Sequence, residues 1–182
     1  MGDRLRVLGI DPGLASTGFG VVEAAPGGHD ARSIAMGAIR TKAKQPRAQR
    51  LATIAQRVDE LIVEHEPTEV AIEQQYVADN VRSAMAIGEA RAAVMVAAAG
   101  RGLPVHEYTP SAVKEAVTGY GGAPKEQVQQ MVMAQLELTE EPSPLDVSDA
   151  LAIALTRLAE SRLDALLSGD AQPTGSGQGG AA

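Results

Sequence analysis

Four carboxylates sit where a folding chain gains little by placing charge. Asp11 closes the apolar run "LRVLGI", Glu73 closes "VAI", and Asp146 and Asp149 lead into "ALAIAL". Burying a carboxylate is costly unless it is paired or bound to a cation. Like charges brought together raise one another's pKa until a cation neutralises them. The chain has no Cys, and these segments have no His. An all-oxygen donor set of this kind suits Mg2+, with Mn2+ as a substitute, better than zinc. Two such ions about 4 Å apart suit in-line attack of water on a phosphodiester.

Each carboxylate also has a plain structural explanation. Asp-Pro-Gly is strong turn chemistry, so Asp11 could simply start a turn. Glu73 could be an ordinary strand-end charge. Asp146 follows Ser143 by three residues with Pro144 between, a capping-box spacing that could serve only the helix terminus. Asp149 is the hardest to explain this way, because no Lys or Arg lies within four residues of it. At i, i+3 it shares a helical face with Asp146.

The segments that must position these groups read as an α/β domain. "RLRVLGI", "STGFGVVEA" and "ARSIAMGAIRTK" are strands joined by the turns "DPG" and "APGGHD", so three antiparallel neighbours are expected. Leu51, Ile54, Val58, Leu61 and Ile62 then recur at helical spacing from Pro46 to His65, and Pro67 ends that helix. "TEVAIEQ" is a short buried strand that crosses over to lie parallel to the first. "NVRSAMAIGEARAAVMVAAAG" is a long helix and "LPVHEYT" a fifth strand. The helices "PSAVKEAVTGY", "GGAPKEQVQQMVMAQLEL" and "SPLDVSDALAIALTRLAESRLDALL" follow. The expected architecture is a mixed five-stranded sheet with helices on both faces. Neighbouring parallel strands are about 5 Å apart, so Asp11 and Glu73 would reach one cation.

A chain of 182 residues forms one core. That core is aliphatic, since the aromatic residues are only Phe19, Tyr76, Tyr108 and Tyr120. With no Cys there is no disulfide, thiolate metal site or Cys nucleophile. The longest strongly apolar run, Ala92 to Ala99, is too short to span a bilayer, and no signal peptide is evident, so a cytoplasmic location without membrane contact is expected. From Gly169 onward the chain is Gly-, Ser- and Gln-rich, which divides it into a folded domain, 1–168, and a disordered tail, 169–182. The net charge is −7, yet residues 1–57 carry nine Lys and Arg against four Asp and Glu. The stretch "IRTKAKQPRAQR", which includes Arg40 and Lys42, is the densest basic segment and could meet phosphates, as could Arg82.

With "GIDPG…TG.G", "AIEQ" and "DVSDALAIA" in this order, the sequence resembles the RuvC family of Holliday-junction resolvases over about Leu5 to Leu167. The resemblance implies a ribonuclease H-like fold and a homodimeric, Mg2+-dependent endonuclease with two ions per active site. Such enzymes place two symmetric nicks in a four-way DNA junction, in recombination and repair, leaving 5′-phosphate and 3′-hydroxyl ends. Asp11, Glu73, Asp146 and Asp149 fall on the family's acidic positions. The resemblance makes Asp11 a ligand of both metals and lets Glu73 and Asp146 complete the individual shells. Asp149, where some relatives have His, would ligate one metal or position water.

Tyr76 stands where relatives usually carry a Phe that stacks on a base near the crossover, and a Tyr ring keeps that ability. Lys114 and Lys125 match phosphate-contacting positions. Each is also an ordinary helix-surface Lys, and Tyr76 could be a half-buried core residue. The small-residue stripe Ala84, Gly88 and Ala92 lies on the helix that builds the family's dimer interface. A junction branch-migration helicase complex is a further implied partner.

Three other readings compete with this one. An actin- or Hsp70-like ATPase needs a second domain and a second phosphate loop, for which the chain has no residues. A non-catalytic junction-binding module would be expected to lose acidic ligands, and all four are present. A related-fold nuclease acting on other DNA or RNA is chemically equivalent at the metal site.

Overall fold

The computed structural model describes residues 4–25, 30–74 and 80–167. Five strands, β1 (Leu5–Asp11), β2 (Ser16–Ala24), β3 (Arg32–Arg40), β4 (Glu69–Glu73) and β5 (Val105–Tyr108), form one sheet in the order β3-β2-β1-β4-β5. The first three are antiparallel neighbours, and β4 and β5 join in parallel. Five helices cover the sheet: α1 (Arg47–His65), α2 (Val81–Gly100), α3 (Pro110–Thr118), α4 (Lys125–Gln135) and α5 (Leu145–Leu167). This is the expected mixed sheet with both faces covered. The expected tail, 169–182, lies outside the described residues.

Strand alternation divides the core in two. Leu8, Ile10, Val21, Val70 and Ile72 pack against α1 and α2, while Val7, Val22 and Ala71 pack against α3, α4 and α5. Helix α1 buries Ile54, Val58, Leu61 and Ile62 and stops at Glu66, a left-handed cap whose N–H donates to the Ile62 carbonyl at 2.9 Å. Pro67 then blocks further winding.

Helix α5 is buried from Val147 to Leu158 apart from Asp149, because it lies between the sheet and the α3–α4 pair. Its close approach depends on glycines. A Cβ added at Gly9 would overlap the Ala150 carbonyl and lie 2.7 Å from the Ala154 nitrogen. One at Gly20 would lie 2.6 Å from Leu151 Cδ2, and one at Gly18 would overlap the backbone of Asp146. These strand glycines mark a close backbone approach, not a bulge.

The capping-box reading of Asp146 does not hold. Helix α5 begins at Leu145, and the Val147 N–H donates to the Pro144 carbonyl at 3.0 Å. Pro144 therefore stands at the cap and Ser143 lies outside the helix.

At the opposite end of the sheet Glu23, only 2 % exposed, is held by three arginines. Arg6 reaches it at 2.6 Å, and Arg4 and Arg32 each at 2.7 Å. Register explains two of them, since Arg6 and Arg32 are the cross-strand partners of Glu23 on β1 and β3. The guanidinium groups pull this carboxyl from its ordinary 4.5 down to about 2. Its stabilisation is thus present above pH 4.5 and lost as pH falls through about 2. Glu23→Gln should cost about 2 kcal/mol at neutral pH, discounted for the exposure of Arg4 and Arg32. It should also flatten the dependence of the melting midpoint on pH below 4.5, and an unchanged slope there would contradict the assignment.

Candidate active site

Asp11 and Glu73 are the last residues of β1 and β4. The two strands are parallel and adjacent, with Ile10 opposite Ile72, so both carboxylates leave the same end of the sheet one step further on. Alternation points them to the α5 face, opposite to Ile10 and Ile72. On the other side of β1, the partner of Asp11 is Gly18 on β2. The space that a side chain at Gly18 would fill is taken by the backbone of Asp146. A missing side chain beside Asp11 is thus what seats the first turn of α5 against it.

Asp11, Glu73 and Asp149 line one cavity of about 290 Å3, together with Lys114, Lys125 and the apolar residues Val113 and Val128. Asp146 is not in its wall, although its charge acts on both Asp11 and Asp149. Thr109 caps α3 by accepting the Ala112 N–H at 3.2 Å, which sets the helix that carries Lys114. Lys125 opens α4, and its Nζ lies 3.5 Å from Asp149 Oδ2. Sequence distance hid this partner: Asp149 has no nearby cation along the chain but has one across the cavity.

The electrostatics are those of crowded anions. Burial, and after it the like charges of Glu73, Asp149 and Asp146, together push Asp11 up from 3.8 to about 7, with Lys125 pulling the other way. Asp149 is also raised, chiefly by burial, with Lys125 pulling it back. Among the described residues, no group of three or more Asp, Glu or His side chains stands ready to hold a metal ion as placed. The Lys125 ammonium faces these carboxylates across the cavity, 3.5 Å from Asp149 Oδ2. The donor chemistry nevertheless fits a hard divalent ion, being carboxylate oxygen throughout.

The other sequence candidates are spread more widely. Lys114 and Lys125 share the cavity with the carboxylates. Arg40 and Lys42 are exposed at and just beyond the end of β3, an edge strand, and do not line the carboxylate cavity. Arg82 lines a separate cavity at the start of α2. Tyr76 lies outside the described residues. Sequence reading missed Gly9, Gly18 and Gly20 as the seat of α5, although a glycine inside a strand is itself a signal of close approach.

Residues 7–157 match the family model for crossover junction endodeoxyribonuclease RuvC. A protein of that name from Moorella thermoacetica is 50% identical over 151 residues, covering 83% of this chain and 89% of its own. Its counterpart from Heliobacterium modesticaldum is 48% identical over 149 residues, covering 82% and 91%. The structure of Thermus thermophilus RuvC in complex with a Holliday junction substrate superposes with a TM-score of 0.83 at 40% identity, covering 88% of this chain and 96% of that one. The yeast mitochondrial Holliday junction resolvase Ydc2 shares the fold at 13% identity, with a TM-score of 0.61 and coverage of 88% and 83%. With the ribonuclease H-like sheet, the acidic strand ends and these matches together, the chain belongs to the RuvC family of crossover junction endodeoxyribonucleases.

Proposed function

We propose that this chain is a divalent-metal-dependent endonuclease that resolves four-way DNA junctions by paired symmetric nicks, in recombination and repair. The observation that carries the reading is the convergence of acidic residues from β1, β4 and α5 on a cavity that also presents Lys114 and Lys125. A divalent cation there supplies Lewis-acid stabilisation of the phosphoryl oxygens and a water of lowered pKa. Asp11, Glu73, Asp146 and Asp149 would hold it, with Mg2+ as the ion and two ions per site. Lys114 and Lys125 hold the phosphodiester beside the carboxylates and offset their charge. Tyr76 stacks on a base, and Arg40 and Lys42 meet the backbone further out.

The working unit is a homodimer, which sets two such cavities against opposite strands of one junction. Helix α2 supports this. It buries only Ala90, Val94 and Ala98 and leaves Val81, Met85 and Val96 exposed along one stripe, with open space at Gly88. A branch-migration helicase remains the implied protein partner, a location in the cytoplasm is consistent with the reading, and 1–168 is the nuclease domain.

A test compares a synthetic four-way junction with a linear duplex of the same sequence. Mg2+ should support paired nicks in the junction with 5′-phosphate and 3′-hydroxyl ends, and chelator should abolish them. Equal cutting of the duplex would favour a less selective nuclease of the same fold.

A further inference from the structure

A second cavity, of about 330 Å3, opens at the same end of the sheet but on the α1–α2 face. Leu14, Gln45, Arg47, Arg50, Arg82 and Ser83 line it, and no carboxylate does. We infer that this cavity binds a backbone phosphate of the junction DNA, next to the strand engaged at the carboxylates. The inference rests on the junction-resolving reading and adds Arg47 and Arg50 to it.

Three observations support the assignment. The first is that the arginines are differently committed. Arg50 is held in place: its Nε donates to Thr41 Oγ1 at 2.8 Å and its Nη2 to the Leu14 carbonyl at 3.1 Å. Arg47 pairs with Glu89 on α2. The Arg82 guanidinium makes no hydrogen bond or ion pair among the described residues, and it is exposed at the rim. Even after Glu89 offsets Arg47, the wall retains two positive charges and the neutral donors of Ser83 and Gln45. A guanidinium fork suits phosphate oxygens in a way that a point charge does not.

The second is that α1 and α2 both begin here, and neither has an acidic residue in its first turn. The positive ends of both helices therefore add to the arginines. The α1 cap is Pro46, which supplies no side-chain acceptor to the first turn.

The third is position. Leu14 is three residues from Asp11, so the wall begins within about 11 Å of the carboxylate cavity. Arg50 and Thr41 both bond the Leu14 carbonyl, tying this wall to the turn that follows Asp11. A strand leaving the carboxylates across that turn meets the arginines next.

The test measures binding of the full chain to a four-way junction in chelator, from about 50 to 200 mM salt. Arg82→Gln should weaken binding about five-fold and lower the slope of log affinity against log salt by about 1. Arg47→Gln should act in the same direction, and Arg82→Lys should restore most of the slope. An Arg82→Gln chain with its slope unchanged overturns the inference. Inorganic phosphate is the second probe. A melting midpoint raised by phosphate and lost in Arg47→Gln, with junction binding unaltered, would make this a free-anion site and overturn it too. If the parent nicks no junction with Mg2+, the functional reading fails. If it nicks while the Arg82→Gln slope stays the same, only the phosphate cavity fails.

Discussion

Asp11→Asn should abolish nicking, by roughly 10³-fold or more, while giving a chain that is more stable than the parent at pH 8 in chelator. Both effects have one cause. Asp11 is buried beside Glu73, Asp149 and Asp146, and its pKa in the folded chain is raised from 3.8 to about 7. The sign follows from linkage. Below 3.8 the carboxyl is protonated whether folded or not and costs nothing. As pH rises the unfolded chain releases its proton first, so stability falls until the folded group also ionises near pH 7. The full loss is on the order of 4 kcal/mol, and Asn avoids it. Melting midpoints of parent and variant between about pH 5 and 8 should therefore diverge as pH rises. Added Mg2+ should raise the parent's midpoint more than the variant's, because only the parent retains the full ligand set. Parallel pH curves for the two chains would refute the crowded-anion account, whatever happened to cutting.

Gly18→Ala should be nearly as damaging to activity, although it alters no charged group. Its Cβ would overlap the backbone of Asp146, which cannot rotate away as a flexible side chain can. The first turn of α5 must lift, taking Asp146 and Asp149 from Asp11, the cross-strand partner of Gly18. Overpacking of this kind costs about 3 kcal/mol, and displacement of a reacting group by about 1 Å costs roughly 10²-fold in rate. Gly100→Ala makes a fitting control for fold stability, since a Cβ there meets open space and the position lies at the end of α2, away from its exposed apolar stripe. The readouts are the denaturation midpoint and the single-turnover nicking rate at saturating Mg2+. A Gly18→Ala chain of parental stability and rate would show that α5 does not depend on this contact.

The carboxylates were legible because a strand advertises its own end. Apolar residues run up to Asp11 and Glu73, and a charge at such a boundary is visible without neighbours. The strand order was legible for a similar reason, since a short link between strands favours an antiparallel pair and a helix between strands a parallel crossover. The alternative that the Ser143–Asp146 spacing offered, a capping box, depends on where the helix starts, and α5 starts at Leu145.

By itself, then, the sequence determined the element types, their order and the acidic identity of the strand ends. These depend on periodicity and on turn chemistry, which act over a few residues. Only the tertiary structure decided that Gly18 stands beside Asp11 and makes room for Asp146, that Lys125 faces Asp149, and that Arg47 and Arg82 share one cavity. Each of those pairings joins residues far apart in the chain, and long-range packing selects them: α5 can approach the sheet only where the strands carry glycine.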